Sequence, residues 1–157
     1  MPVCGGAAEE GLKRKGGKEN LKSKSLFQGG NMAYQLFEDL EVWKRSARLS
    51  CSVYKELRQL KDFGFKDQIT RSSLSVPSNI AEGYERKSLK ELLNFLYYAK
   101  GSCGELRTQI YIGVDIGYIS KEVGHYWIEE TRQISMMLSG LMKNKRNQLK
   151  RVGNNSG

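Results

Sequence analysis

The sequence predicts an all-α protein, an antiparallel four-helix bundle with up-down-up-down topology. Three observations lead to this prediction. Four long segments carry apolar residues every three or four positions, short polar turns separate them, and a capping motif precedes the third. Long helices joined by short turns must alternate in direction, and a bundle buries all four apolar stripes together.

The first helix is predicted from about Asp39 to Leu60. Acidic residues at its start suit the positive end of the helix dipole. Residues 61–65, with Gly64 among them, predict a short turn. The predicted inner stripe, at spacings of three, four and seven, comprises Leu40, Trp43, Ala47, Tyr54 and Leu57.

The second helix is predicted from about Asp67 to Glu82. Pro77 lies inside it and removes a backbone hydrogen bond, so a kink or break is expected near residues 73–78. Gly83 is expected to end the helix. The predicted inner stripe comprises Ile69, Ser73, Val76 and Ile80.

The third helix has the clearest signature, because Ser88 and Glu91 have the spacing of a capping box. Gly101 and Gly104 weaken the helix, which predicts the close approach of a neighbouring helix. A heptad stripe with alternating spacings of three and four comprises Leu89, Leu92, Leu96, Ala99, Cys103, Leu106, Ile110 and Gly113.

The fourth helix is predicted from an N-cap at Ser120 to about Asn144. Its stripe comprises Val123, Trp127, Ile134, Met137 or Leu138, and Leu141. The resulting domain organisation is a disordered basic extension over 1–31, a bundle over 32–147 and a disordered basic tail over 148–157. We hypothesise that translation starts at Met32, which would place the extension outside the natural product.

The chain has 26 Lys and Arg against 17 Asp and Glu, a formal net charge of +9. Residues 32–142 hold 15 basic and 14 acidic side chains, so the excess lies near the two ends. The three cysteines are scattered singly, and no apolar run approaches the roughly 20 residues that span a bilayer. A cytoplasmic protein without a membrane role is expected.

Catalytic chemistry is not indicated. The single histidine, His125, has no partner at metal-ligand spacing, and Cys51 and Cys103 are best interpreted as small core residues. The sequence has no phosphate-binding loop, dinucleotide motif or nucleophile elbow. We therefore expect no enzyme activity, no cofactor, no metal and no small-molecule substrate.

Four segments resemble a bacterial family of four-helix-bundle proteins first noticed as products of intervening sequences in 23S ribosomal RNA genes. They are residues 37–44 (FEDLEVWK), 68–83 (QITRSSLSVPSNIAEG), 99–106 (AKGSCGEL) and 136–141 (MMLSGL). The resemblance implies a helical bundle, assembly as a homopentamer, no established enzymatic activity and an association with RNA or ribosomes. A related group, the accessory proteins of diversity-generating retroelements, works with a reverse transcriptase and its template RNA.

Two sets of residues are candidates for a role. The nucleic-acid candidates are basic residues of the first helix and the second turn: Lys44, Arg45, Arg48, Lys55, Arg58, Arg86, Lys87 and Lys90. The second set is a polar network expected to fix the register between helices near Pro77: Arg71, Asn79, Glu82 and Glu105.

Two functions follow from these patterns. The first is an oligomeric accessory protein that binds RNA or a ribonucleoprotein by phosphate and shape rather than by sequence. The alternative is a protein–protein scaffold, on which outer residues such as Phe95, Tyr98 and Trp127 dock a partner. Salt separates the two, because phosphate contacts weaken steeply as salt rises and apolar interfaces do not.

Overall fold

The computed structural model describes residues 36–154, with side chains to residue 152, and shows the predicted all-α four-helix bundle. The predicted disordered extension over 1–31 lies outside the described residues. The helices are α1 (Glu41–Glu56), α2 (Phe63–Tyr84), α3 (Leu89–Asp115) and α4 (Lys121–Asn154). Short 3₁₀ turns over Phe37–Asp39 and Leu57–Gln59 flank α1.

Helix α3 is the centre of the core. Every member of its predicted stripe is buried except Leu89, which is half-buried against the core. The Ser88 hydroxyl accepts from the Glu91 amide at 3.2 Å, as the capping motif predicts. The Glu91 carboxylate accepts from the Ser88 hydroxyl at 2.8 Å, so the reciprocal bond is between the side chains.

The predicted stripe of α1 is wrong in part. Tyr54 is exposed and Trp43 is only partly buried, whereas Val42, Leu49 and Val53 are buried. The difference arises because Ser46 and Ser50 occupy buried positions of the true inner face, where polar residues interrupt the apolar period.

Helix α2 begins four residues earlier than predicted and runs through Pro77 without a break, so the expected break is wrong. Its N-cap is Asp62, whose carboxylate accepts from the Phe65 amide at 3.0 Å. Side-chain donors bond to carbonyls of the turn before the proline: the Ser78 hydroxyl to Leu74 and the Asn79 amide to Ser75, both at 2.8 Å. These bonds support the backbone where a helix with an interior proline is weakest.

The glycines have roles other than those predicted. Gly83 does not end α2; it lies inside the helix, and a methyl group there would come within 2.9 Å of Phe95 Cβ on α3. The predicted close approach at Gly101 and Gly104 is wrong within the described residues, because no atom of a neighbouring helix lies within 4 Å of a methyl group built at either position. Gly83 is thus one glycine at which α2 and α3 come close.

The seam between α2 and its neighbours contains paired hydroxyls. Ser72 donates to the Gln109 side-chain oxygen on α3, and the Ser75 and Ser102 hydroxyls bond at 2.9 Å. On the other side of α2, Ser73 bonds to Ser50 of α1 at 3.1 Å. Buried hydroxyls with partners inside the bundle avoid the cost of unpaired polar groups.

Helix α4 is longer than predicted and continues to Asn154, so residues 148–154 are helical rather than a disordered tail. Its N-cap is Ser120, as predicted, with a bond to the Val123 amide at 3.2 Å. The extension is supported by Leu149, which packs against the core. The sequence pattern does not predict this contact, because residues 143–148 are all polar and interrupt the apolar period before Leu149.

The bundle has two different ends. At the first, which we call the closed end, the α1–α2 turn meets the α3–α4 turn: the Tyr118 hydroxyl donates to Asp62 at 2.9 Å and its ring packs edge-on against Phe65. At the second, which we call the basic end, the α2–α3 turn (residues 85–88) lies beside the C-terminal part of α4 (residues 143–152).

Candidate nucleic-acid interface

The eight candidate cations do not form one surface. Lys55 and Arg58 lie where α1 meets α2, towards the closed end, whereas Arg86, Lys87 and Lys90 belong to the basic end. The 22-residue α2 separates the two groups by about 33 Å along the bundle. A single compact ligand could not contact both groups at once.

Three of the eight have acidic partners. Arg45 donates to both carboxylate oxygens of Glu130 on α4, at 2.5 and 3.1 Å, and these hydrogen bonds to the carboxylate raise the pKa of Arg45. Arg48 bonds to Glu41 at 2.8 Å, and Arg86 pairs with Glu82 one turn earlier. The Arg45 pair links α1 to α4 and so has a structural role.

The other five, Lys44, Lys55, Arg58, Lys87 and Lys90, have no ion-pair partner among the described residues. Lys87 and Lys90 are exposed beside the Ser88 cap of α3. An unpaired, exposed cation can bind phosphate without first giving up a contact within the chain.

The structure adds a group of cations at the end of α4, of which Lys150 and Arg151 fall in the predicted disordered tail. Because α4 continues past residue 147, its final turns carry basic side chains at the same end as the α2–α3 turn. These residues are Lys143, Lys145, Arg146, Lys150 and Arg151. This end of the bundle also has acidic residues. They are Glu82, Glu85 and Glu91, beside the α2–α3 turn, and those at the start of α1.

Aromatic rings hold two of the α4 cations in place. The Arg146 guanidinium bonds to the Tyr97 hydroxyl and lies 5.3 Å from the centre of its ring, and the Lys145 ammonium lies 5.4 Å from the centre of Tyr84. Arg86 lies 4.7 Å from the ring centre of Phe95, which packs edge-on against Tyr98. Cations and exposed aromatic rings therefore share the basic end.

Tyr84 is unusual among these residues. Its hydroxyl is buried and has no hydrogen-bond partner among the described residues, and burial raises its pKa. The ring thus stays neutral at physiological pH and serves as an apolar platform under Lys145.

The four residues of the predicted polar network bond within their own helices rather than to one another. Arg71 reaches Asp67 at 3.5 Å, Asn79 bonds to Ser75, and Glu82 pairs with Arg86. Glu105 accepts from Gln109 at 3.4 Å on α3. The bonds that join α2 to α3 are instead the serine contacts described above.

The residues considered for catalysis lie apart. His125 is exposed on α4, and Cys103 is buried, with the pKa of its thiol raised by desolvation to about 11. A thiol with such a pKa is a poor nucleophile at neutral pH. Within residues 36–152 no group of three or more His, Cys, Asp or Glu side chains is arranged to hold a metal ion.

One predicted outer residue is wrong. Trp127 is 1% exposed, and its indole donates to the Ser52 hydroxyl at 3.0 Å, so it is a core residue that joins α4 to α1. Tyr98 is exposed as predicted, and Phe95 is half-buried. None of the helices among the described residues has the length and apolarity needed to cross a bilayer.

These features define an all-α four-helix bundle with a basic end. The sequence matches the 23S rRNA-intervening sequence protein family over residues 38–140, and the chain belongs to this family. The match covers α1, α2, α3 and most of α4 and stops before the cations at the end of α4.

A solved structure shares the fold. It is the crystal structure of a protein of unknown function from the S23 ribosomal protein family of Bacteroides thetaiotaomicron, with 24% sequence identity and a TM-score of 0.62. The alignment covers 65% of this chain and 98% of that one. No curated protein matches the sequence.

Proposed function

We propose that the chain is a non-enzymatic, homo-oligomeric accessory protein of the cytoplasm that associates with RNA or a ribonucleoprotein through its basic end. The observation that carries the proposal is the meeting of Lys87 and Lys90 with the cations of the last turns of α4 at one end of the bundle. The family's name, which refers to 23S ribosomal RNA, supports the same class of partner.

The chemistry of the basic end suits phosphate rather than a particular base sequence. Lysine and arginine side chains that lack acidic partners release the counterions of a nucleic acid when they bind it. Phosphate contacts fix the position of a protein on RNA without reading the sequence, and recognition then rests on the shape of the strand. A helix presents such cations at fixed spacing, which a disordered tail does not.

Assembly of several copies would strengthen this binding. The outer face of α3 is exposed and includes Tyr98, Ile112 and Ile116, and Gly101 lies between them with open space above it. This face is the candidate contact between copies, and the family resemblance suggests a pentamer. A ring would repeat the basic end and multiply its field, so that weak sites act together.

The test is light scattering of the full chain with and without total cellular RNA, at low and high salt. We expect a particle of several chains that gains RNA mass at low salt and loses it at high salt. An oligomer whose mass is indifferent to RNA at every salt concentration would contradict the RNA role. A monomer would contradict the assembly.

The alternative is a protein–protein scaffold. The same outer face of α3 favours it, because Tyr98 and Ile112 are 60% and 48% exposed in the single chain. An apolar interface with a different protein would bury this face and tolerate salt. Capture of a partner protein that persists at high salt, together with no RNA binding, would favour the scaffold.

A further inference from the structure

A groove at the closed end lies on the side of the bundle formed by the end of α1 and the first turns of α2. It has a volume of about 510 Å³ and is lined by Tyr54, Arg58, Phe63, Lys66, Asp67 and Thr70. Ligand sites for small organic molecules typically span roughly 300 to 1,000 Å³. The groove is therefore large enough for a nucleotide.

Two aromatic residues at this groove are exposed to solvent. Phe63 is 72% exposed and Tyr54 is 47% exposed, although apolar rings of this size are usually among the better buried residues of a bundle. Neither ring packs against another aromatic ring among the described residues. Their exposure has no explanation in the packing of the core.

The charged residues of the lining are arranged for an anion beside the rings. Arg58 has no hydrogen bond or ion pair among the described residues, and the Lys66 ammonium lies 4.8 Å from the ring centre of Phe63. Asp67 contributes one negative charge and is paired at 3.5 Å with Arg71. The Thr70 hydroxyl is committed to the Lys66 carbonyl at 2.6 Å.

We propose that this groove binds an unpaired nucleotide of single-stranded RNA, with the base stacked on Tyr54 or Phe63 and its phosphate held by Arg58 and Lys66. This inference rests on the proposed function and adds a second, chemically different contact about one helix length from the basic end. The basic end holds phosphates of any strand; the groove selects a strand whose bases are free.

The selection follows from the geometry of stacking. A base inside a duplex is covered on both faces by its neighbours, so its face cannot contact a protein ring unless the base leaves the stack. An unpaired base has a free face, and aromatic stacking of such bases tolerates every sequence. Asp67 adds an acceptor that suits the exocyclic amino group of cytosine or adenine.

The test uses the full chain, a short uridine-rich single-stranded RNA that carries one 2-aminopurine, and a blunt duplex of the same sequence. Fluorescence of 2-aminopurine reports stacking, and the anisotropy of an end label reports binding. Phe63→Leu and Tyr54→Leu keep an apolar side chain at exposed positions, so the fold is retained. Tyr126→Leu, at an exposed tyrosine of α4, is the matched control.

We expect Phe63→Leu to lower the affinity for the single strand by about tenfold or more, to remove the 2-aminopurine signal and to leave duplex binding unchanged. Arg58→Gln is expected to weaken single-strand binding and reduce its salt dependence. Tyr126→Leu is expected to behave as the wild type.

Other outcomes overturn the inference in distinguishable ways. If the wild type binds both RNAs and Phe63→Leu and Tyr54→Leu each bind them equally well, the groove is not the site and the proposed function stands. If the wild type binds neither RNA, both proposals fail. Equal affinity for free adenosine monophosphate would assign the groove to a soluble nucleotide, and Phe63-dependent binding of a glutamate-rich peptide without RNA binding would assign it to a protein.

Discussion

The two ends of the bundle differ in what their side chains do. At the closed end, small residues let the chain pack tightly: a methyl group at Gly113 would lie 2.5 Å from Ile119 and 2.9 Å from Phe65. Gly117, with φ of 79°, makes the turn between α3 and α4. At the basic end Gly83 also allows a close approach, but long side chains such as Arg146 extend over aromatic rings at the surface.

This difference predicts which substitutions affect stability and which affect binding. Close contacts at the closed end fix the helices relative to one another, so substitutions at these contacts, unlike those at the exposed rings of the groove, should act on stability. Exposed cations at the basic end contribute little to folding, because surface charges in water interact weakly. Substitutions there should act on binding.

The largest effect is expected from the basic end. Replacing Lys87, Lys90, Lys150 and Arg151 with Gln removes four exposed cations and should lower the affinity for single-stranded RNA about 100-fold at low salt. The slope of log affinity against log salt should decrease by up to about 3, at roughly 0.7 for each phosphate that is no longer neutralised. The melting temperature should hardly move.

Fluorescence anisotropy over a salt series measures this effect. The control replaces Lys121 and Lys61, which lie outside the basic end, with Gln. Equal losses of log affinity for each charge removed, in the four-residue set and in this two-residue control, would mean that overall charge, rather than the basic end, determines binding.

The next effect concerns packing at the closed end. A methyl group at Gly124 would overlap Val114 Cγ2, and the branched valine on α3 cannot easily turn away. We expect Gly124→Ala to destabilise the fold by about 1 to 3 kcal/mol. Gly140→Ala is the matched control, because open space surrounds that position, and it should stabilise the helix by about 1 kcal/mol.

Urea unfolding followed by circular dichroism measures both changes. If Gly124→Ala and Gly140→Ala shift the midpoint in the same direction, close approach at Gly124 does not govern the packing of this end.

Each end of the bundle has a serine that caps a helix, so the same substitution can be tested at both ends. Ser88 caps α3 at the basic end, and Ser120 caps α4 at the closed end, each with an amide contact of 3.2 Å. We expect each Ser→Ala variant to lose about 1 kcal/mol of unfolding free energy, without a change in RNA affinity for Ser88→Ala. A fall in affinity at constant salt would show that the cap region itself contacts RNA.

The smallest effect is a pH dependence at the closed end. The Phe65 amide, and then the Tyr118 hydroxyl, lower the pKa of Asp62. Its contribution to stability is therefore present above the unfolded-state pKa of about 3.9 and is lost as the pH falls through the lower folded value. We expect the wild-type melting temperature to fall more than that of Asp62→Asn between about pH 5 and pH 2.

Tyr118→Phe provides the control for this titration. It removes the second of the two hydrogen bonds to Asp62, so its acid sensitivity should lie between those of the wild type and Asp62→Asn. If all three chains have the same acid sensitivity, other carboxylates dominate the titration.

Much of the fold could be predicted from the sequence. The stripe of α3 could be predicted because every stripe position from Leu92 to Ile110, three or four residues apart, has an apolar side chain. The stripe of α1 was not, because Ser46 and Ser50 are buried with hydrogen-bond partners and look like surface residues in a pattern of hydropathy.

The candidate interface was predictable only in part. Lys87 and Lys90 were recognisable as exposed cations in a turn. Their proximity to the end of α4 depends on how far that helix continues, and its last turns are supported by the packing of Leu149 against the core. The groove between Tyr54 and Phe63 gave no signal, because exposed aromatic residues are indistinguishable from core residues in a helical pattern.

The serine contacts between α2 and α3 also affect which register the two helices adopt. A slip of α3 by one turn along α2 would still bury apolar residues, but it would separate Ser72 from Gln109 and Ser75 from Ser102. Ser72 and Ser75 would keep their bonds within α2, to the Ile69 carbonyl and from the Asn79 amide. The slip therefore loses one bond between helices at each contact, worth about 0.5 to 1.5 kcal/mol net, and these two contacts favour the native register over its one-turn neighbours.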